Sequence, residues 1–378
     1  IIDLELESKK AACADYRRQY KSIHPHHKGF IPVMLSCDGR WQKRWGWNSL
    51  DGHVISYIHP LPDDKLKINL QRNCVGVYVY HRVTPSMEKT WETATIGGKE
   101  MKVIPAGEEQ KWFQKSAGAM DPQGIYDTVK FLLSEGMEVV TFLHDNDAKG
   151  FQACLKAKKD YMRENPNSGI SDIVRELLCA RHGASHAGKY MMTLARDELP
   201  VGLKKVNGRD YCWLASDKCR RYFTKMFRFI VKRSKTAEEA KREMDGFRKH
   251  LEGNHENNPF CTAYGSCLKE NYDTTRPDII NEQKLKILDK WFLKWGNIKI
   301  LRKYVGCYDT NLEESSNFLM IMFMEKRLFS RIKYEIAARS VALFRNEKGW
   351  NFLIKILEYY NAEVTTQFRQ RVRQWENQ

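Results

Sequence analysis

Two acidic residues follow short apolar runs, at points where a strand would leave a protein core. Asp38 comes shortly after the run at 31–35, and Asp145 follows a β-rich run at 139–143. Carboxylates in such positions suit Mg²⁺, a hard cation that prefers carboxylate oxygens and keeps several of its waters. Asp147 leaves the second run two residues later and is a rival for the same role. We prefer Asp145 because it is nearer to the end of the strand.

Two-metal phosphoryl chemistry needs a third carboxylate. Two divalent ions about 3.5–4 Å apart bracket the scissile phosphate, one activating the attacking oxygen and the other stabilising the leaving oxygen. We choose Glu314, near the start of the apolar-periodic block that begins at Asn311. On spacing alone, the simpler explanation is that Glu313 and Glu314 are favourable acidic charges in the first turn of a helix.

Hydrophobic patterning predicts the elements that would position these acids. Strands are predicted at 31–37, 53–59 and 75–83, then a helix that starts at an Asp-Pro pair, then a strand at 139–143. Three strands, a helix and a strand, with acids closing the first and fourth strands, is the order of the ribonuclease H-like core. The first and fourth strands are neighbours in that fold, so Asp38 and Asp145 would come together.

The length of 378 residues allows two domains, or one large domain with an insertion. We predict a helical, basic lead-in at 1–30 and the first part of an α/β, ribonuclease H-like catalytic core at 31–165. The strand signal then stops, so 166–309 is predicted to be a large all-helical insertion. The segment 310–378 is predicted to be the C-terminal helical part of the core.

Cysteine and histidine spacing in the predicted insertion is typical of a structural Zn²⁺ site. Cys179 and His182 form a Cys-x2-His pair, and Cys261 and Cys267 lie near the far end of the insertion. Together they would make a closed tetrahedral site that staples helices lacking strand pairing. His255 is an alternative ligand. Cysteines elsewhere are too sparse for a secreted disulfide scaffold, which indicates the cytosol or nucleus.

The charge of the chain indicates a polyanionic partner. Lys and Arg outnumber Asp and Glu by 63 to 47, a net charge of +16, and clustered cations bind phosphates with release of counterions. Trp residues that could stack on bases interleave with basic residues at 40–47. A second basic run at 218–235 fits a DNA-facing helix and a solvated helix equally well. The candidate nucleic-acid contacts are Arg40, Lys43, Arg44, Arg220 and Arg221.

The apolar patterning argues against a membrane span, because no run of 18 or more apolar residues occurs. The chain begins Ile1-Ile2-Asp3 without an initiator Met. We therefore expect it to be a fragment or a trimmed chain, from which a targeting signal could have been lost. The sequence leaves open what precedes Ile1, where a separate DNA-recognition domain is one candidate.

Four segments together resemble one family. DGRWQKRWGWNSLDGHV is similar to the first-aspartate motif of Mutator-like transposases, and FLHDNDAKGF to their second-aspartate motif. CARH matches the Cys-x2-His signature found after the second aspartate, and NLEESSNFLMIMF is similar to the segment that carries the catalytic glutamate. The segments are collinear between about residues 31 and 350. There are departures: His144 and Asn146 stand where the family usually has Gly, Ala148 where it has Ser, and Glu313 where it has Asn.

The resemblance implies a DDE triad of Asp38, Asp145 and Glu314 in a eukaryotic cut-and-paste transposase. The implied reaction is metal-dependent cleavage of double-stranded DNA at transposon terminal repeats, with two Mg²⁺ (or Mn²⁺) ions bound. The freed 3′-hydroxyl would then attack target DNA. A homodimer or larger assembly and a nuclear location are also implied. Two alternatives keep the same fold: a domesticated DNA-binding protein without activity, and a structure-specific nuclease acting on RNA or hybrids.

Overall fold

The core of the protein is a mixed five-stranded sheet, seen here in a computed structural model. Its strands are β1 (Ile31–Trp41), β2 (Asp51–His59), β3 (Cys74–His81), β6 (Met137–His144) and β7 (Arg175–Leu178), with a separate hairpin of β4 (Thr93–Ile96) and β5 (Lys99–Lys102). The strand order is β3-β2-β1-β6-β7. The structure describes residues 1–41, 51–65, 67–70, 72–81, 93–96, 99–102, 113, 115–146, 148–198, 205–206, 209–210, 213–265, 282–323, 331–347 and 349–376.

The described chain divides into two compact units. The sheet unit comprises Ile1–Arg175 and Thr310–Gln378, and the helical unit comprises Glu176–Asp309, so the boundary falls inside β7. The helices of the sheet unit are α1 (Ile2–Ile23), α2 (Met120–Ser134), α3 (Ala148–Glu164), α10 (Asn311–Phe323), α11 (Arg331–Asn346), α12 (Asn351–Tyr359) and α13 (Thr366–Glu376). Those of the helical unit are α4 (Ala180–Glu198), α5 (Asp217–Arg233), α6 (Ala237–Leu251), α7 (Pro259–Tyr264), α8 (Glu282–Trp295) and α9 (Ile298–Leu301).

Strand β1 lies at the centre of the sheet and connects its antiparallel and parallel parts. It pairs antiparallel with β2, which pairs antiparallel with β3, and it pairs parallel with β6. Parallel neighbours need a crossover connection, and α2 lies in that connection. The first and fourth predicted strands of the core correspond to β1 and β6, so their predicted adjacency is confirmed.

Both faces of the sheet are covered, which explains why β2 is buried along almost its whole length. Side chains alternate between the faces of a strand. Val54 and Ile58 accordingly pack in a cluster with residues of α1, α2 and α3, whereas Ile55 and Tyr57 pack with residues of α10 and α11. Helix α10, which carries the predicted third acid, is held against the sheet by this second cluster.

The helical unit has an apolar core of its own, rich in aromatic side chains. Phe223 and Phe227 of α5, Phe247 of α6 and Trp291 of α8 are fully buried there. The prediction that 166–309 is all-helical is wrong in detail. It contains β7 and a hairpin of two two-residue strands, Lys205–Val206 and Arg209–Asp210. Strands of two to four residues are too short to show alternation in the sequence.

No helix in the part of the chain that the structure describes is both long enough and apolar enough to cross a membrane.

Candidate active site

The register of the sheet brings Asp38 and Asp145 to the same edge. In the parallel pair, Ser36 of β1 lies opposite Leu143 of β6. Two residues further along both strands, Asp38 is level with Asp145, which directly follows the end of β6 at His144. Both side chains are half-buried, so they line an edge that solvent reaches.

Glycine at position 39 allows a close approach next to the first acid. A Cβ at Gly39 would overlap the carboxylate of Asp121, which belongs to the first turn of α2. Residue 39 points to the opposite face of the sheet from Asp38, because side chains alternate along a strand. A larger residue at 39 would push α2 away from the end of β1.

Thr310, which directly precedes α10, and Asn317, in the middle of α10, hold the two carboxylates by hydrogen bonds. The Thr310 hydroxyl donates to Oδ1 of Asp145 at 2.9 Å. The Asn317 side-chain amide donates to Oδ2 of Asp38 at 2.6 Å. One helix therefore orients the acids of two different strands.

A buried chain of polar side chains fixes the orientation of Asn317. Its amide oxygen lies 3.0 Å from Nε2 of His53, and Nδ1 of His53 lies 2.9 Å from the Tyr334 hydroxyl. Since the Asn317 oxygen can only accept, Nε2 of His53 donates, and in the neutral ring Nδ1 accepts from Tyr334. Asp38 is thus connected to α11 through three buried residues, which limits its rotation.

Glu313 is a fully buried acid behind this edge. The Ser36 hydroxyl donates to its Oε1, and its Oε2 has no hydrogen-bond partner among the described residues. Burial raises the pKa of the Glu313 carboxyl to about 8; the hydrogen bond from Ser36 lowers it, and the charges of Asp38 and Asp145 raise it further. At neutral pH Glu313 is therefore mostly protonated.

His59 supports this arrangement from β2. Burial lowers the pKa of His59 to about 4, so its ring is neutral at neutral pH. Nε2 of His59 lies 2.5 Å from the Ser36 hydroxyl. Because that hydroxyl donates to Glu313, it accepts from His59.

The predicted third acid, Glu314, is the next residue of α10 and is half-buried. Sequence reasoning named Glu313 only as a first-turn charge and did not find its buried position. It also missed Asn317 and His53. The one sequence signal for Asn317 is its place four residues after Glu313, which puts both on one side of a helix.

The predicted zinc ligands do not form one group among the described residues. Nδ1 of His182 lies 3.3 Å from Sγ of Cys179, as Cys-x2-His spacing at a helix start allows. Cys261 instead groups with His250 and His255. Sequence reasoning missed His250.

Two of the predicted nucleic-acid contacts are described and lie on α5. Nε of Arg220 is 2.6 Å and Nε of Arg221 is 2.7 Å from the carboxylate oxygens of Asp217, and the Arg221 side chain is 75% exposed. Arg40 is in β1, but its side chain is not described. Four other predicted site residues also lie outside the described residues: Lys43, Arg44, Asp147 and Cys267.

Helix α5 presents basic residues along one exposed face. Its opposite face is buried through Cys219, Phe223, Met226, Phe227 and Ile230. The exposed residues follow one another at intervals of three and four, which places them on one side of a helix. We call them the basic stripe: Lys218, Arg221, Lys225, Arg228 and Lys232.

Oxygen donors of the kind that divalent cations prefer lie at the sheet edge. The charges of Asp38 and Asp145 oppose a negative charge on Glu313, although burial is the larger cause of its raised pKa. Divalent cations bound by the half-buried carboxylates would relieve that repulsion, and oxygen ligands suit Mg²⁺.

Comparisons with known proteins identify no relative. No protein-family model matches the chain, and neither the curated proteins nor the solved structures contain a significant match.

Proposed function

We propose that this chain is the catalytic region of a DDE-type DNA transposase, built on a ribonuclease H-like core and similar to the Mutator-like enzymes. The observation that carries the proposal is the shared position of Asp38 and Asp145 just beyond the last parallel pair of β1 and β6. Asp145 follows the end of β6, whereas Asp38 lies inside β1, which extends to Trp41 and not to the predicted end at 37. The strand order β3-β2-β1-β6-β7 supports the ribonuclease H-like core, because β3, β2 and β1 pair antiparallel while β1 and β6 pair parallel.

Three half-buried carboxylates would hold two Mg²⁺ (or Mn²⁺) ions: Asp38, Asp145 and Glu314. When bound, the ions activate the attacking oxygen and stabilise the leaving oxygen of the scissile phosphate. Glu314 is preferred to Glu313 because Mg²⁺ keeps several waters, and a half-buried carboxylate leaves room for them. Fully buried Glu313 instead keeps its proton at neutral pH and supports β1 through Ser36.

The remaining described residues of the site are positioning residues. Asn317 holds Asp38, with His53 and Tyr334 behind it, and Thr310 holds Asp145. Such fixed orientations matter because productive geometry has to be kept to within about half an ångström.

The substrate is proposed to be double-stranded DNA, at transposon terminal repeats and at a target. The net charge of +16 and the exposed basic stripe support a phosphate-rich partner. Synapsis of two DNA ends would require a homodimer or larger assembly, and action on chromosomal DNA would require a nuclear location.

The proposal is tested by incubating the 378-residue chain with labelled linear duplex DNA and supercoiled plasmid, in Mg²⁺ or Mn²⁺. We expect ion-dependent plasmid nicking and labelled duplex covalently joined to plasmid, with both products absent for Asp38→Asn. Nicking without joined product would indicate a plain nuclease. DNA binding with neither product would indicate a DNA-binding protein without activity.

Asn317→Ala should raise the Mg²⁺ concentration needed for half-maximal cleavage by about 10- to 100-fold, as expected when a residue that orients a metal ligand is lost. The reason is that Asp38 loses the donor that fixes its Oδ2. A Mg²⁺ titration of the cleavage rate measures the effect. Ser315→Ala, on an exposed position of the same helix, is the control and should leave the titration unchanged.

Glu313 should make stability depend on pH. Its folded pKa of about 8 exceeds the ordinary value of 4.5, so its stabilising contribution is complete below about pH 4.5 and is lost as pH rises through 8. Urea unfolding of the wild type should show a loss of about 1 kcal/mol between pH 7 and 8. Glu313→Gln should remove that slope. If the unfolding free energy falls equally with pH in the wild type and in Glu313→Gln, the raised pKa does not belong to Glu313. His59 does not contribute to this slope, because it stays neutral between pH 7 and 8.

A further inference from the structure

Three metal-ligating side chains of the helical unit converge on one point. Nδ1 of His250 lies 3.2 Å from Nδ1 of His255, and Sγ of Cys261 lies 3.4 and 3.5 Å from these two nitrogens. His250 and Cys261 are buried, and His255 is half-buried. The cluster therefore sits at the margin of the core, with access from one side.

These separations are those of ligands on one face of a zinc tetrahedron. With Zn–N of about 2.05 Å and Zn–S of about 2.3 Å, tetrahedral angles put two nitrogens about 3.3 Å apart and a nitrogen and a sulfur about 3.6 Å apart. The measured 3.2, 3.4 and 3.5 Å agree with these values to within about 0.2 Å.

The outer hydrogen bond of His250 also suits metal binding. Its Nε2 lies 3.1 Å from the Tyr222 hydroxyl. A metal-binding imidazole usually donates its second N–H to a nearby acceptor, which fixes the ring and its tautomer. With the proton on Nε2, the Nδ1 lone pair of His250 faces the cluster.

Hydrogen bonds alone explain the three short distances among His250, His255 and Cys261 less well than a bound cation does. If Nδ1 of His250 carries a lone pair, at most two protons serve the three contacts, one on Nδ1 of His255 and one on Sγ of Cys261. One of the three contacts would therefore have no proton between its atoms. A cation at the centre accepts all three lone pairs at once.

Hydrogen bonds within the chain hold the backbone around the cluster in place. His250 is in the last turn of α6, His255 is in the following loop, and Cys261 is in α7. The Asn258 side-chain amide donates to the carbonyls of Gly246 and Asn254, both at 2.9 Å, which ties the loop to α6. A preformed cluster lowers the entropic cost of binding an ion.

We propose that His250, His255 and Cys261 form a Zn²⁺ site that fastens the end of α6 to α7. The described chain supplies three ligands, and a closed tetrahedral site would take a fourth. This set differs from the predicted one of Cys179, His182, Cys261 and Cys267, and it does not depend on the proposed transposase activity.

Metal analysis of the 378-residue chain, purified without chelators, tests the proposal. We expect His255→Ala and Cys261→Ser each to lower the zinc content by about one ion per chain, since each removes one of three ligands. His186→Ala, an exposed histidine of α4, and Cys219→Ser, a buried thiol of α5, are the controls and should keep the wild-type content. Reconstitution with Co²⁺ should give a thiolate-to-cobalt absorption band that Cys261→Ser removes.

Three results would overturn the site. One is a wild-type chain that binds neither Zn²⁺ nor Co²⁺; another is unchanged metal content in both ligand variants. The third is metal loss in Cys179→Ser together with full retention in His255→Ala. If Cys261→Ser fails to fold, the half-buried His255→Ala and the Co²⁺ spectrum of the wild type still decide the question.

Discussion

Replacing Asp38 or Asp145 by Asn is expected to lower the rate of DNA cleavage at least about 1,000-fold, because each change removes an anionic ligand from a two-metal centre. Asn keeps the size of Asp and can still accept a hydrogen bond. The donors from Asn317 and Thr310 therefore keep a partner, and folding should be preserved. Cleavage of labelled duplex DNA, with circular dichroism to check folding, measures the effect.

The two adjacent glutamates of α10 give a matched pair of variants. Glu314→Gln should lower the cleavage rate about as much as Asp38→Asn, because it too removes a proposed metal ligand. Glu313→Gln should stay within about tenfold of the wild type at pH 7, because a protonated carboxyl and an amide have similar size and both are neutral. The reverse result, with Glu313→Gln inactive and Glu314→Gln active, would assign the third ligand to Glu313. Full activity in Asp38→Asn would end the transposase proposal.

The arrangement of the two strand-end acids was predictable because its determinants are local. β-rich runs, the Asp-Pro start of α2 and the Gly after it are visible in the sequence, and they give the order of strands and helix. Once β1 and β6 are neighbours, the lengths of the two runs alone would place Asp38 opposite His144. A register shift between Val33 and Met34, where β6 has one extra residue, makes Asp38 level with Asp145 instead. The catalytic role of both residues remains a prediction.

Local sequence does not decide which of Glu313 and Glu314 is buried. Successive helical residues point about 100° apart, so the burial of one rather than the other depends on how the helix packs. In the structure Glu313 shares the buried side of α10 with Ser316 and Asn317, facing β1 and β2. The sequence pattern was equally compatible with two solvated first-turn acids.

His250 was missed for a related reason. It follows Arg248 and Lys249 in the last turn of α6, where cations favourably meet the helix dipole, so the sequence indicated only a basic C-terminus. Its proximity to His255 arises from the loop after Gly253, which reverses the chain with a φ of 84°. The conformation of that loop has no signature as strong as a helix or strand period.

Replacing four residues of the basic stripe by Gln is expected to weaken DNA binding about 100- to 1,000-fold at physiological salt, because each lost phosphate contact also forfeits counterion release. The variant carries Lys218→Gln, Arg221→Gln, Lys225→Gln and Lys232→Gln. Arg228 is kept because its ion pair with Asp309, at 3.9 Å, ties α5 to a different segment, whereas the pair of Arg221 with Asp217 lies within α5. Fluorescence anisotropy with a labelled duplex at several salt concentrations measures affinity. The slope of log K against log salt should fall by about 0.9 per contact, or about 3.6 in all.

A second quadruple variant of equal charge separates a binding face from a general charge effect. Four other exposed lysines of the helical unit, on α8 and α9, are replaced in the same way: Lys286, Lys290, Lys294 and Lys299. If α5 contacts DNA, this control should lose less than about tenfold in affinity and keep most of the salt slope, since long-range attraction is largely screened beyond about 8 Å. Equal losses in both variants would mean that DNA responds to the net charge of +16 and that α5 is an ordinary solvated helix. An unchanged affinity in the α5 variant would place the DNA contacts on another surface of the chain.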